Sequence, residues 1–289
     1  MSSTIISLLS GLGGMFGWGI YDFFAGVYSK KIGPFKTFFW SQLAGLFFVI
    51  LLISVFPITL NIPVLTIILL PIASLFYSAG YLFFMKGFEI GNISIVAAAM
   101  NLWAVFTMLI AFIFMGQRLS TLQSMGVLMI ISGATLASLN WSDIRKKRFQ
   151  LSSGVKETVF GAFFFGAFWN LSEVISEKIG WLQTTLFVKI GIILFLLIFS
   201  FLIKRDIYIT NTTTKTKLMV VLMGIIEAGA VAVVNFGLTT GDAILITPIA
   251  SALSVVTIIM AIIFLKDKIT LLQGIGIITA IFGIIVTAF

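Results

Sequence analysis

The sequence predicts an all-α polytopic membrane protein with ten transmembrane helices arranged as two inverted five-helix repeats. Three observations carry that expectation. Mean hydropathy is +1.19, with 30 Phe but only 10 acidic residues in 289, a composition that would expose too much apolar surface in water. The apolar residues gather into ten stretches, each about the 20 residues a helix needs to span a bilayer. The second half of the chain also repeats the first.

Taken in order, the first stretch, 4–28, lacks the basic start of a cleavable leader and runs on through Asp22 to Lys30 and Lys31. It is expected to be retained. Stretches 37–56, 65–86, 93–115 and 121–140 complete a first unit, residues 1–140. A basic connecting loop, 141–156, carries Arg145, Lys146, Lys147 and Arg148. The second unit, 157–289, holds 157–178, 183–203, 217–238, 243–265 and 270–289, which leaves almost nothing for a soluble domain.

With neither Cys nor His, thiol chemistry, disulfides, haem ligation and the usual zinc sites are excluded. No catalytic residue, cofactor or metal is expected. An intramembrane enzyme is disfavoured further because the Gly-x-Gly-Asp pattern fails at Asp242, where residue 239 is Thr. A passive channel is a third function class. The net charge of +8 resides in Lys and Arg at segment ends, where lipid head groups account for it. The expected partners are therefore the lipid bilayer and a small-molecule substrate, not nucleic acid. The loops after odd-numbered segments hold 15 basic residues and the even loops only Arg118 and Lys178. That bias places the odd loops in the cytoplasm and both termini outside.

The repeat is legible by self-comparison. RLSTLQSMGVLMIISGATLA, from Arg118, lies over KITLLQGIGIITAIFGIIVT, from Lys268, pairing Gln123 with Gln273, Gly126 with Gly276 and Gly133 with Gly283 at an offset of 150. At an offset of 147, Lys31-Ile32-Gly33 meets Lys178-Ile179-Gly180, Gly14 meets Gly161 and Gly19 meets Gly166. Five is odd, so the halves insert in opposite orientation. Two such bundles can rock about a midplane site and expose it to either side.

The five-plus-five repeat and the endings FIFMGQRLSTLQSMG and IIFLKDKITLLQGIG resemble the two EamA domains of the drug/metabolite transporter superfamily, over essentially the whole chain. The resemblance implies a secondary transporter of small metabolites, an exporter or exchanger, in the plasma membrane. It also implies glutamate where this chain has Gln117 and Asp267, and cytosolic termini in part of the superfamily, opposite to the charge count. Organic-cation or drug efflux and sugar uptake are alternative activities.

Polar residues at membrane depth mark the candidate site. Gly14, Trp18, Asp22 and Gly26 recur every four residues and form one stripe. Gly166, Trp169, Asn170 and Glu173 repeat the theme in the second half. Glu173 and Lys189 are expected at one depth as an ion pair, with Asp22 and Gln42 as its counterpart near the opposite surface. Glu227, central in 217–238, aligns with Tyr77; Tyr81 shares Tyr77's face, and Asn101 aligns with Ser251. The expected substrate-binding set is therefore Trp18, Asp22, Tyr77, Tyr81, Asn101, Trp169, Asn170, Glu227 and Ser251. Glu173, Lys189 and Gln42 are expected in gating or ion pairing. The competing reading makes the charges helix ties and the tryptophans packing residues. Cavity acids facing aromatic rings suit a neutral or zwitterionic, amino-acid-like substrate. The glycine pairs of segments 5 and 10 read as packing seams, either within one chain or as the contact of a homodimer.

Overall fold

The computed structural model describes residues 3–58, 61–90, 93–139, 154–210, 212–266 and 269–289. The basic run Arg145 to Arg148, Asp267 and Lys268 lie outside them. Twelve helices and no strand occur among the described residues. The first half holds α1 (Ser3–Ile32), α2 (Pro34–Val55), α3 (Val64–Ile90), α4 (Ile93–Met100), α5 (Leu102–Phe114) and α6 (Thr121–Ser138). The second holds α7 (Val155–Ile179), α8 (Trp181–Leu202), α9 (Thr214–Leu238), α10 (Ala243–Ser251), α11 (Leu253–Leu265) and α12 (Leu271–Thr287). Eight helical stretches are long and apolar enough to cross a membrane; Ala98–Phe114 and Leu271–Thr287 are shorter apolar helices. The protein is thus all-helical and multi-pass, and a count of ten needs both shorter helices to cross.

The spans expected as continuous over 93–115 and 243–265 are each broken. At the first break Asn101 N–H donates to the Ala98 carbonyl at 3.3 Å; at the second, Ala252 N–H donates to Ile249 at 3.1 Å. These are i→i−3 turns that tighten a helix end. Pro248, which has no N–H to give, sits just before the second break.

Local signals in equivalent places build equivalent ends. Gly33 and Gly180 have φ of 87° and 85°, a region costly for other residues, and each reverses the chain between two long helices. Ser120 with Gln123 and Thr270 with Gln273 form capping boxes at the starts of α6 and α12. Each satisfies N–H groups that a helix start leaves orphaned. The Gln123/Gln273 match in the sequence repeat therefore records a helix cap.

The halves interlock. α1 packs on α9, α10 and α11, while α7 packs on α3, α4 and α5. α6 and α12 run against each other through their glycines: a side chain at Gly133 would meet the Ala280 nitrogen at 2.5 Å, and one at Gly283 the Gly126 carbonyl at 2.6 Å. Both seams close inside one chain, so a homodimer through these helices has to use their outer faces. Those faces carry exposed Leu128 and Phe282, and Phe47, Leu51, Phe114 and Phe201 are likewise exposed elsewhere, as expected of a surface solvated by lipid.

Candidate functional site

Four buried side chains from four helices meet between the halves. Tyr77 of α3 donates its hydroxyl to Glu227 Oε1 at 2.6 Å. Lys189 of α8 forms an ion pair with Glu227 Oε2 on α9 and donates to Gln42 Oε1 on α2 at 2.8 Å. The lysine fixes which way the Gln42 amide points, and leaves Gln42 Nε2 buried without a partner among the described residues. Lys189 and Glu227 are each 1% exposed. A charge so enclosed needs its counter-ion, because desolvation of a lone one costs several kcal/mol.

This geometry corrects two expected pairings. Lys189 pairs with Glu227, not Glu173, and Gln42 bonds Lys189, not Asp22. Depth along single helices fails as a guide because the partners are set by how the helices pack: Lys189 meets Glu227 on the next helix of its own half and Gln42 across the interface. Glu227, expected to face a cavity, has both carboxylate oxygens taken.

Glu173 builds a second cluster near the other end of α7. Gln117 Nε2 donates to Glu173 Oε1 at 2.5 Å, the Ala243 N–H donates to Oε2 at 3.3 Å, and the Ile244 N–H donates to Gln117 Oε1 at 3.0 Å. Two side chains thus cap the start of α10, where exposed N–H groups and the helix dipole favour a carboxylate. The cluster joins the loop after α5 to the ends of α7 and α10, on the even-loop side. Asp242 and Glu177 add further negative charge around it.

Between the clusters stands an aromatic wall. Trp18 and Trp169 rings lie 5.1 Å apart, and Trp103 is 6.3 and 6.4 Å from them. Phe168, 5.0 Å from Tyr77 and 4.7 Å from Trp169, links the wall to the buried network. Tyr81 stacks on Phe38 at 3.5 Å, and the Tyr21 hydroxyl is 3.3 Å from Ser41 Oγ. Asp22, one turn from Trp18, is half-buried. Among the described residues no hydrogen bond or ion pair reaches it, although Tyr81 feels its field. Asn170 spends its amide N–H groups on the Thr107 and Gly166 carbonyls and leaves Oδ1 buried and unpartnered.

Other expectations fare differently. Gly14 fits tightly against Val234, but Gly26, expected to admit a neighbouring helix, has no neighbour for a Cβ among the described residues. Asn101 and Ser251 sit at the two helix breaks, tied to Ser138 and to the Pro248 carbonyl, and no described bond joins them to the buried network. Asn235 went unread: it accepts from Ser172 at 2.8 Å and donates to Thr185 at 2.9 Å, tying α7, α8 and α9. Its only sequence signal is a polar residue near the end of an apolar span. On the odd-loop side Lys36 bonds Asp206 at 2.7 Å and the Tyr208 carbonyl at 2.8 Å, and Trp40 donates to Ile207 at 2.7 Å. The Lys36 bond, with the Tyr208 N–H, holds the Asp206 carboxyl below its usual range.

A solved structure described only as "Crystal structure of protein" superposes with a TM-score of 0.79 over 97% of this chain and 96% of its own, at 15% identity. At that identity it shows the fold alone. No curated protein matches the chain. The sequence profile of the EamA-like transporter family matches twice, over 5–139 and 153–289. Two copies of that family's domain, meeting across a shared polar interface, account for nearly the whole molecule: the chain belongs to the EamA-like transporter family.

Proposed function

We propose that the chain is a secondary transporter of the plasma membrane that moves a small amino-acid-like metabolite, neutral or zwitterionic, by alternating access, as an exporter or exchanger. One observation carries the reading: residues equivalent by the repeat touch one another, Gln42 with Lys189 across 147 residues and Tyr77 with Glu227 across 150. Only an axis relating the two halves brings equivalent residues together, and an axis between inverted halves is the geometry alternating access uses. Asp22 and Asn170 Oδ1, acceptors with no partner among the described residues and close in sequence to the wall tryptophans Trp18 and Trp169, suit an ammonium group, and the indole faces suit an apolar side chain. Organic-cation efflux is a second reading, favoured by the same free acceptors.

Purified protein in proteoliposomes should show saturable counterflow of one class among amino acids, organic cations and sugars. Asp22→Asn should raise the half-saturating concentration for an amine-bearing substrate by about tenfold, the effect of one partly solvated charge contact. Flux that stays linear in concentration and needs no countersubstrate would make the protein a channel.

A further inference from the structure

The contacts between the halves can be sorted by asking whether each has a counterpart under exchange of the repeats. In this chain the exchange adds 147 to residues of α1 and α2 and 150 to those of α3 to α6. If the two end states of transport are related by swapping the conformations of the halves, a contact whose image is also formed is common to both states. A contact without an image belongs to one state only. This inference rests on the alternating-access reading.

Most of the interface is its own image. Gln42 with Lys189 and Tyr77 with Glu227 map onto themselves. Gly166 against Phe106 and the Trp103 carbonyl maps onto Gly19 against Val256 and the Leu253 carbonyl, and both are formed. Gly191 against Ser74 maps onto Ala44 against Gly224, also formed. The α6–α12 seam maps onto itself as Gly126 with Gly283 and Gly133 with Gly276.

The Glu173 cluster breaks the pattern. Its image would place the residue equivalent to Glu173 on the start of α4, and that residue is Gly26, which has no carboxylate; Asp267, the image of Gln117, lies outside the described residues. Gly26 is exposed, and a Cβ there would meet nothing within 4 Å among the described residues. The last two turns of α7 carry buried Ser172, Glu173, Ile175, Ser176 and Ile179, whereas in the equivalent stretch of α1 only Tyr28 is buried.

The geometry points to a division of labour: the Lys189–Glu227–Tyr77–Gln42 network and the glycine seam are a pivot kept throughout transport, and Glu173 with Gln117 on the start of α10 is the gate that must open on the even-loop side. The structure is closed at that gate, whereas on the other side nothing among the described residues covers Gly26. Lys189 and Gln42, expected as gating residues, become part of the pivot.

The absence of native cysteine allows a direct test in the full chain. Gln117→Cys with Ile244→Cys, joined by a short bifunctional thiosulfonate in proteoliposomes, should lose counterflow about tenfold or more and regain it on reduction. Ile130→Cys with Ala280→Cys, facing each other across the seam, should keep counterflow within about twofold when joined. A gate cross-link that leaves counterflow intact, or a seam cross-link that abolishes it, overturns the assignment. A second readout needs no substrate. With Ile244→Cys as the probe, Glu173→Ala or Gln117→Ala should speed labelling by a hydrophilic maleimide about threefold or more, the shift expected on losing a carboxylate at a helix start. Ala280→Cys should label at an unchanged rate. Unchanged labelling at Ile244→Cys rejects the gate even if transport proves real. A wild-type protein without counterflow of any substrate rejects the transport reading, while the labelling still decides whether this contact opens.

Discussion

Lys189 is the residue whose environment most constrains the molecule. Its ammonium is enclosed with one carboxylate and one amide, so removing either charged partner strands the other. Lys189→Met and Glu227→Gln should each lower stability by about 3 to 5 kcal/mol, with the double substitution more stable than the worse single. Thermal melting in detergent reads this directly, and additive losses would deny the pair. The exposed Lys36–Asp206 bond is the contrasting case. A carboxyl held below its usual range contributes stability that is present above about pH 4, its unfolded value, and lost as pH falls through the lower folded one. Hydrogen exchange at the Tyr208 amide, which donates to Asp206 at 2.8 Å, should therefore show the same protection factor at pH 7 and pH 5. Asp206→Asn should lower that protection at both, with little change in global melting.

At the scale of elements, the α6–α12 pair shows how glycine spacing becomes a contact. Gly126, Gly133, Gly276 and Gly283 let two backbones touch, each against the other helix's carbonyl or nitrogen. No side-chain movement relieves a Cβ placed on backbone atoms, so Gly133→Leu should prevent close packing and cost about 1 to 3 kcal/mol or more. Leu128→Ala, on the exposed face of the same helix, should leave the melting temperature within error. Equal effects from the two substitutions would mean that the seam is not tightly packed. The breaks at Asn101 and Ala252 work in the other direction. They interrupt the apolar spans expected over 93–115 and 243–265, and in a bilayer freed backbone groups persist only if surrounded by protein.

For the whole molecule, the axis proposed between the halves makes an unusual exchange testable. Gln42→Lys with Lys189→Gln, combined with Tyr77→Glu and Glu227→Tyr, rebuilds the same four groups turned over about the axis. The fourfold variant should melt closer to wild type than Gln42→Lys with Lys189→Gln alone, which sets two buried pairs at odds. A fourfold variant no more stable than the twofold one would place the network off the axis. Orientation is an independent matter. The loop containing Thr210 is expected in the cytoplasm and that containing Thr240 outside, from the basic-residue count. A membrane-impermeant thiol reagent on intact cells should label Thr240→Cys and spare Thr210→Cys, and the reverse pattern would invert the topology.

By itself the sequence determined the class of molecule, the two repeats and their offsets, and which polar residues lie at membrane depth. Those are properties of composition and period, and they survive in the linear chain because each span must be apolar along its length. The capping boxes at Ser120 and Thr270 went unread, although Ser or Thr three residues before Gln is their sequence signal. Tertiary structure alone decided which polar groups meet. Glu173, expected at the depth of Lys189, bonds Gln117 and the start of α10, while Lys189 reaches Glu227 on the helix that follows its own. Depth along a helix is one coordinate. Rotation of that helix and its place in the bundle are two more, set by the interlocking of α1 with α9 to α11 and of α7 with α3 to α5. Those are long-range packing choices that no single span records.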